Sequence, residues 1–120
     1  MNAQLFACKH DGTDPERATL PFVLANVAVA SGVEATVVCT LDGVYLGRKG
    51  AVEGIAAPEL APLAELFDAF LAAGGRIWLC SACTKPRGIT EDQLAEGVTI
   101  VGAATIVQAV GQGASFVSVT

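Results

Sequence analysis

The chain has 120 residues, 52% of them hydrophobic and 16% charged, with a formal net charge of -5. This composition is too apolar for disorder and fits one domain over residues 1–120; a mean hydropathy of +0.55 is high for a small monomer, so part of the surface is expected to be shared with other subunits. An acidic balance opposes nucleic-acid binding, which needs clustered Lys and Arg. The longest apolar run, Leu20 to Ala30, is broken by Asn26 and falls short of the ~20 residues of a membrane span.

Met1 to Gln4 carries no basic start, and the apolar stretch Leu5 to Cys8 stops at Lys9, so no signal peptide is visible and the cytoplasm is the expected compartment. In that compartment the four cysteines are expected to be reduced thiols, not a disulfide framework.

The first strand is read at Leu5 to Cys8. Leu20, Val23, Leu24, Val27 and Ala28 then share one face at helical spacing, with a start at Asp14-Pro15 or at Thr19-Leu20-Pro21 and a stop at Gly32. Ala35 to Thr40 reads as the second strand. Asp42 to Pro58, punctuated by Gly43, Gly47, Gly50 and Gly54, reads as a short helix and a mobile loop. A second amphipathic helix carries Leu60, Leu63, Phe67, Phe70 and Leu71, with Pro62 in its first turn and Gly74-Gly75 as its stop. Arg76 to Cys80 is the third strand. Thr90-Glu91-Asp92 resembles the capped start of a single turn. Val98 to Val101 is the fourth strand, Ile106, Val107 and Val110 mark a last helix closed by Gly111, and Ser115 to Val119 is the fifth strand. Strands alternating with helices, each strand a continuous apolar run, predict an α/β fold: one parallel sheet covered on both faces.

In such sheets reactive groups gather at the carboxyl ends of the strands. Cys8 closes the first strand, Cys39 lies near the end of the second, and Cys80 closes the third, followed by Cys83 in the next loop. Cys8 and Cys39 suit the ordinary role of small buried hydrophobes and are accessory candidates at most. Cys80 and Cys83 stand in a polar turn with Lys85 and Arg87, two cations suited to stabilising a thiolate, the reactive form. Pro86 and Gly88 keep the segment after the thiols from becoming a long helix. His10, the one histidine, reads as a solvated loop residue or an accessory proton carrier. Tyr45 reads as a core or interface aromatic, again an accessory candidate.

A single C-x-x-C has three functional readings. A thioredoxin-like dithiol normally opens a long helix after the first strand of its own unit. A zinc site needs four ligands, and neither a second C-x-x-C nor a histidine pair is present, so no metal and no cofactor are expected. The third reading is a cysteine that accepts a sulfur atom as a persulfide and passes it on.

The run Ile77-Trp78-Leu79-Cys80-Ser81-Ala82-Cys83-Thr84-Lys85-Pro86-Arg87-Gly88-Ile89, followed by Glu96-Gly97-Val98-Thr99-Ile100-Val101-Gly102, resembles the DsrE/DsrF family of sulfur-relay subunits and YchN-like proteins. Asp14-Pro15, Gly43-Val44-Tyr45 and Ser115-Phe116-Val117 fall in the family's order. The resemblance implies a three-layer αβα domain with a five-stranded parallel sheet, assembly into homo-oligomeric trimers or hexamers, and a sulfur-carrying cysteine matching Cys80. It is nearest to the paired-cysteine, YchN-like branch; in the relay subunits proper the position of Cys83 is typically alanine.

The leading expectation is therefore a sulfur carrier of sulfurtransferase type that holds a persulfide on Cys80, with sulfur donor and acceptor proteins as partners. A thiol–disulfide redox module using Cys80 and Cys83 is the alternative, and a non-catalytic oligomeric assembly protein is the third reading.

Overall fold

The computed structural model describes residues 3–120. Its strands are β1 (Ala3–Cys8), β2 (Glu34–Cys39), β3 (Arg76–Cys80), β4 (Val98–Val101) and β5 (Ser115–Val117), and its α-helices are α1 (Pro15–Ala30), α2 (Leu63–Ala72), α3 (Ser81–Thr84) and α4 (Ala103–Gly111). The strands form one sheet in the order β4-β3-β2-β1-β5 with every pairing parallel. Steps from β1 to β4 run one way across the sheet, and the last connection returns to the far side of β1. Because such crossovers are right-handed, α1 and α2 cover one face and α4 the other. This is the three-layer αβα arrangement that the alternation of elements predicts.

The main core lies on the α1–α2 face. Pleating sends alternate residues to opposite faces, and Phe6, Cys8, Val37, Cys39, Ile77 and Leu79 join one buried cluster with Phe22, Leu63, Phe67 and Phe70. The Phe22 ring sits 5.7 Å from that of Phe67 and 6.3 Å, edge to face, from that of Phe70; each such buried ring contributes roughly 2–3 kcal/mol through apolar burial. Asn26 fastens the two helices, its Nδ2 donating to the Phe22 carbonyl at 2.8 Å and the Leu66 carbonyl at 3.0 Å.

The first helix starts where Asp14-Pro15 suggests. The Asp14 carboxylate accepts the Arg17 N–H at 3.1 Å, and proline occupies the first turn, where its missing N–H leaves no bond unmade. Its inward face differs from expectation. Ala18, Phe22, Ala25 and Ala28 are buried while Val27 is 61% exposed, because α1 is apolar nearly all round and its alanines are what let it approach the sheet closely.

Leu60 lies outside α2. A residue before proline is disfavoured in helical conformation, so Ala61 cannot continue a helix into Pro62; the helix begins at Leu63, and the Leu60 N–H instead returns to the Ala57 carbonyl. The segment expected as a mobile loop is anchored: Val52, Ile55 and Ala57 are buried, and the Ile55 carbonyl accepts the Leu63 N–H at 3.0 Å. It comes after a 3-10 helix over Leu41–Gly47. The second strand ends at Cys39 and the fifth at Val117, short of the expected Thr40 and Val119. Thr90 opens a 3-10 turn over Glu91–Gln93 through reciprocal bonds with Gln93.

The α4 side is less filled. No residue of α4 is buried, and Val107, Val110, Phe116 and Val119 are exposed. A cavity of about 210 Å³ lies between the sheet residues Leu5, Thr36 and Trp78 and the α4 end at Ala109 and Gln112. Among the described residues no helix is long and apolar enough to cross a membrane.

Candidate functional site: the Cys80 turn

Cys80 is the last residue of β3 and the N-cap of α3, with extended backbone angles (φ -71°, ψ 124°). A strand that ends straight into a helix turns sharply there, which places Cys83 at the third helical position. The helix is one turn long. Pro86 comes next, a 3-10 turn runs over Lys85–Arg87, and Gly88 takes the left-handed conformation (φ 68°) that lets its own N–H reach the Lys85 carbonyl and the Ile89 N–H reach that of Thr84. The buried Thr84 hydroxyl donates back to the Ser81 carbonyl at 3.3 Å. Pro86 and Gly88 thus act as the sequence suggests, and they confine the two thiols to a compact turn.

The thiols face different surroundings. Leu79 belongs to the α1–α2 core, so Cys80, one residue on, leaves the sheet on the opposite face, the one that carries Trp78. Cys80 is buried, at 7% exposure, not displayed in the polar turn. Cys83 is half-buried and packs against the Leu79 side of the core. All four cysteines are free thiols.

Arg87 has specific partners. Its Nη1 donates to the Cys83 carbonyl at 3.1 Å, while Nε and Nη2 donate to Asp42 Oδ1 at 3.1 and 3.0 Å. Its guanidinium also lies 5.9 Å from the Tyr45 ring centre, and that of Arg48 stands 4.8 Å from the same ring. Tyr45, expected in the core or an interface, is a half-buried aromatic beside two cations. Lys85 is exposed and stands in none of the three ion pairs formed among the described residues. Asp42 and Arg48 escape sequence reasoning because they fall in a glycine-punctuated stretch with no periodicity. The available signal was an acidic residue just past the carboxyl end of β2, where groups from neighbouring loops converge.

Cys8 and Cys39 form a separate pair. They are register partners on adjacent strands, both at 0% exposure, and on the face opposite Cys80. The Cys8 thiol donates to the Ala18 carbonyl at 3.7 Å. Hydrogen bonding with the Cys8 sulfur, and then burial, push the Cys39 thiol well above its ordinary range. These two are placed as core residues. His10 is half-buried, not freely solvated; its carbonyl lies 3.9 Å from the Cys8 sulfur and its Nδ1 is buried with no partner among the described residues. Among the described residues no three His, Cys, Asp or Glu side chains gather as a metal-binding group.

Comparison with known proteins matches this architecture. The chain is 33% identical over 103 residues to the uncharacterized protein MJ0760 of Methanocaldococcus jannaschii, a match covering 85% of this chain and 38% of that protein. The chain thus spans well under half the length of that relative. Among solved structures, MTH1491 from Methanobacterium thermoautotrophicum, a protein of unknown function, superposes with a TM-score of 0.79 at 22% identity, over 99% of this chain and 100% of that one. The YchN protein of E. coli does so with a TM-score of 0.80 at 19% identity and the same coverage. At these identities the likeness is one of fold. The DsrE/DsrF-like family model matches residues 3–119, and the chain belongs to that family.

Proposed function

We propose that this protein is a sulfur carrier whose working atom is the Cys80 sulfur. The observation that carries the reading is the position of Cys80 as both the last residue of β3 and the N-cap of a single helical turn, in a family generally related to sulfur relay. The Cys80 thiolate attacks the outer sulfur of a donor persulfide; the donor leaves as a thiolate, and Cys80 holds the transferred sulfur as its own persulfide. An acceptor thiolate then takes that outer sulfur and Cys80 is restored. The donor and acceptor are partner proteins, and the cytoplasm is the compartment of action. Intact-protein mass spectrometry after exposure to a persulfide donor should show one added sulfur on the wild type and none on Cys80→Ser; an unmodified wild type sinks the proposal.

The carrier works as a homo-oligomer, trimeric or hexameric. Exposed Val107 and Val110 on α4, with Phe116 and Val119 at the edge-strand end, supply apolar surface for it. Light scattering should give a multiple of the chain mass that Val107→Glu with Phe116→Glu reduces.

One observation favours the redox alternative. Cys80 and Cys83 are both free thiols on the same single helical turn, so a disulfide between them closes once Cys83 leaves its packing on the core. A reversible Cys80–Cys83 disulfide with a defined midpoint in a redox titration would establish it.

A further inference from the structure

A carrier with a second thiol three residues away has a chemical weakness. The Cys83 thiolate can attack the inner sulfur of a Cys80 persulfide; a new S–S bond forms between the two cysteines, the old one breaks, and hydrosulfide leaves with the electron pair. The cargo is lost and the site is left oxidised. Whether this happens depends on whether the Cys83 sulfur can swing to Cys80.

The geometry points to a clamp against that discharge: Asp42, acting through Arg87 on the Cys83 carbonyl, holds Cys83 in its half-buried seat away from Cys80. This rests on the carrier reading above. Two donors of the Arg87 guanidinium go to Asp42 Oδ1 and a third goes to the Cys83 carbonyl, so a planar, forked cation joins the backbone of one loop to the carboxylate of another. The Asp42 end is itself held. Asp42 precedes Gly43, which is pressed on the Cys8 carbonyl, and Tyr45 in the same 3-10 helix faces the guanidinium. At the other end, Cys83 packs on the Leu79 side of the core while Cys80 leaves β3 on the opposite face. To reach Cys80, Cys83 must leave its packing on the core, and the Arg87 bond to its carbonyl opposes any shift of the turn that would help it do so.

Asp42 is thus a positioning residue: it touches neither thiol and acts through Arg87. Its carboxylate side is exposed, with side-chain exposures of 23% for Arg87 and 59% for Asp42, so the restraint is modest and weakens in salt. Ion pairs of this kind change an equilibrium only a few-fold.

The test uses the full-length protein and an aromatic disulfide, dithiobis(nitrobenzoate). Whichever of Cys80 and Cys83 reacts first releases one nitrothiolate and keeps the other as a mixed disulfide; the second thiol then displaces it. The rate of the second release therefore reports the reach between the two sulfurs, with no persulfide involved. In Asp42→Ala and in Arg87→Lys, whose single ammonium cannot bridge both partners, the second release should be roughly three- to fivefold faster than in the wild type. Asp42→Glu should restore the slow rate, and Cys83→Ser should abolish the second release in every background. Equal second-release rates in wild type and Asp42→Ala overturn the clamp, and so does acceleration by Asp42→Glu as large as that by Asp42→Ala. Thermal melts identify a loosened fold; should Asp42→Ala melt early, Asp42→Asn, which keeps the shape and removes the charge, decides on the same criterion. On persulfide-loaded protein the variants should release hydrosulfide faster by the same factor. A protein that takes up no sulfur yet shows the faster second release retains the clamp and loses the carrier reading.

Discussion

Gly43 lies against the end of the first strand so closely that a Cβ on it would stand 2.1 Å from the Cys8 carbonyl oxygen. That oxygen also accepts the Thr40 N–H at 3.0 Å, and the Thr40 carbonyl in turn accepts the Gly43 N–H at 2.9 Å. The turn after β2 is thereby seated on β1, and through Asp42 and Tyr45 it reaches the turn that holds Cys80 and Cys83. Gly43→Ala should displace the 3-10 helix, because the obstruction is backbone and cannot rotate away. The expected loss is about 3 kcal/mol or more in denaturant melts, together with faster alkylation of Cys83.

The burial of the four thiols sets their order of reaction. Iodoacetamide on the native protein at pH 8 should label half-buried Cys83 before Cys80, and should leave Cys8 and Cys39 unlabelled until denaturant is added. Peptide mapping with time reads the order; early label on Cys8 or Cys39 would contradict their place in the core.

Cys39 also gives an alkaline signature. Its thiol stays protonated in the fold at a pH where the unfolded thiol, near 9.0, ionises. The unfolded chain then binds fewer protons than the native one, so stability falls as pH rises. The contribution is complete below about pH 9 and is lost above it. Melting temperature followed from pH 7 to 10.5 should drop more steeply in the wild type than in Cys39→Ala.

The two faces of α1 predict opposite outcomes. Phe22→Ala removes a fully buried ring from between Phe67 and Phe70 and should cost about 3–5 kcal/mol. Val27→Ala, although on the stripe that helical spacing suggests, changes an exposed side chain and should fall within about 0.5 kcal/mol of the wild type in the monomer. Urea unfolding measures both.

The order of elements is legible in the chain itself, because the strands are short apolar runs that stop at polar or glycine-containing turns, and these are local signals. β3 and β4 come out with their expected limits, and Asp14-Pro15 and Gly88 do their work within a turn of the chain. The sequence by itself also placed Cys80 at a strand end, since that needs only the end of the apolar run and the turn residues after it. The tertiary structure alone decided which face each thiol takes. Cys8 and Cys39 pair across neighbouring strands on one side, and Cys80 lies on the other, a difference of one residue in a pleat with period two. It alone decided which side of α1 is core, because a helix apolar nearly all round offers more than one stripe at helical spacing, and the one through Phe22 and Ala25 is buried while Val27 is exposed. Above all it decided what Arg87 does: Asp42, 45 positions away in the chain, takes up the cation, and no spacing within the C-x-x-C segment records that two loops from different strands meet above it.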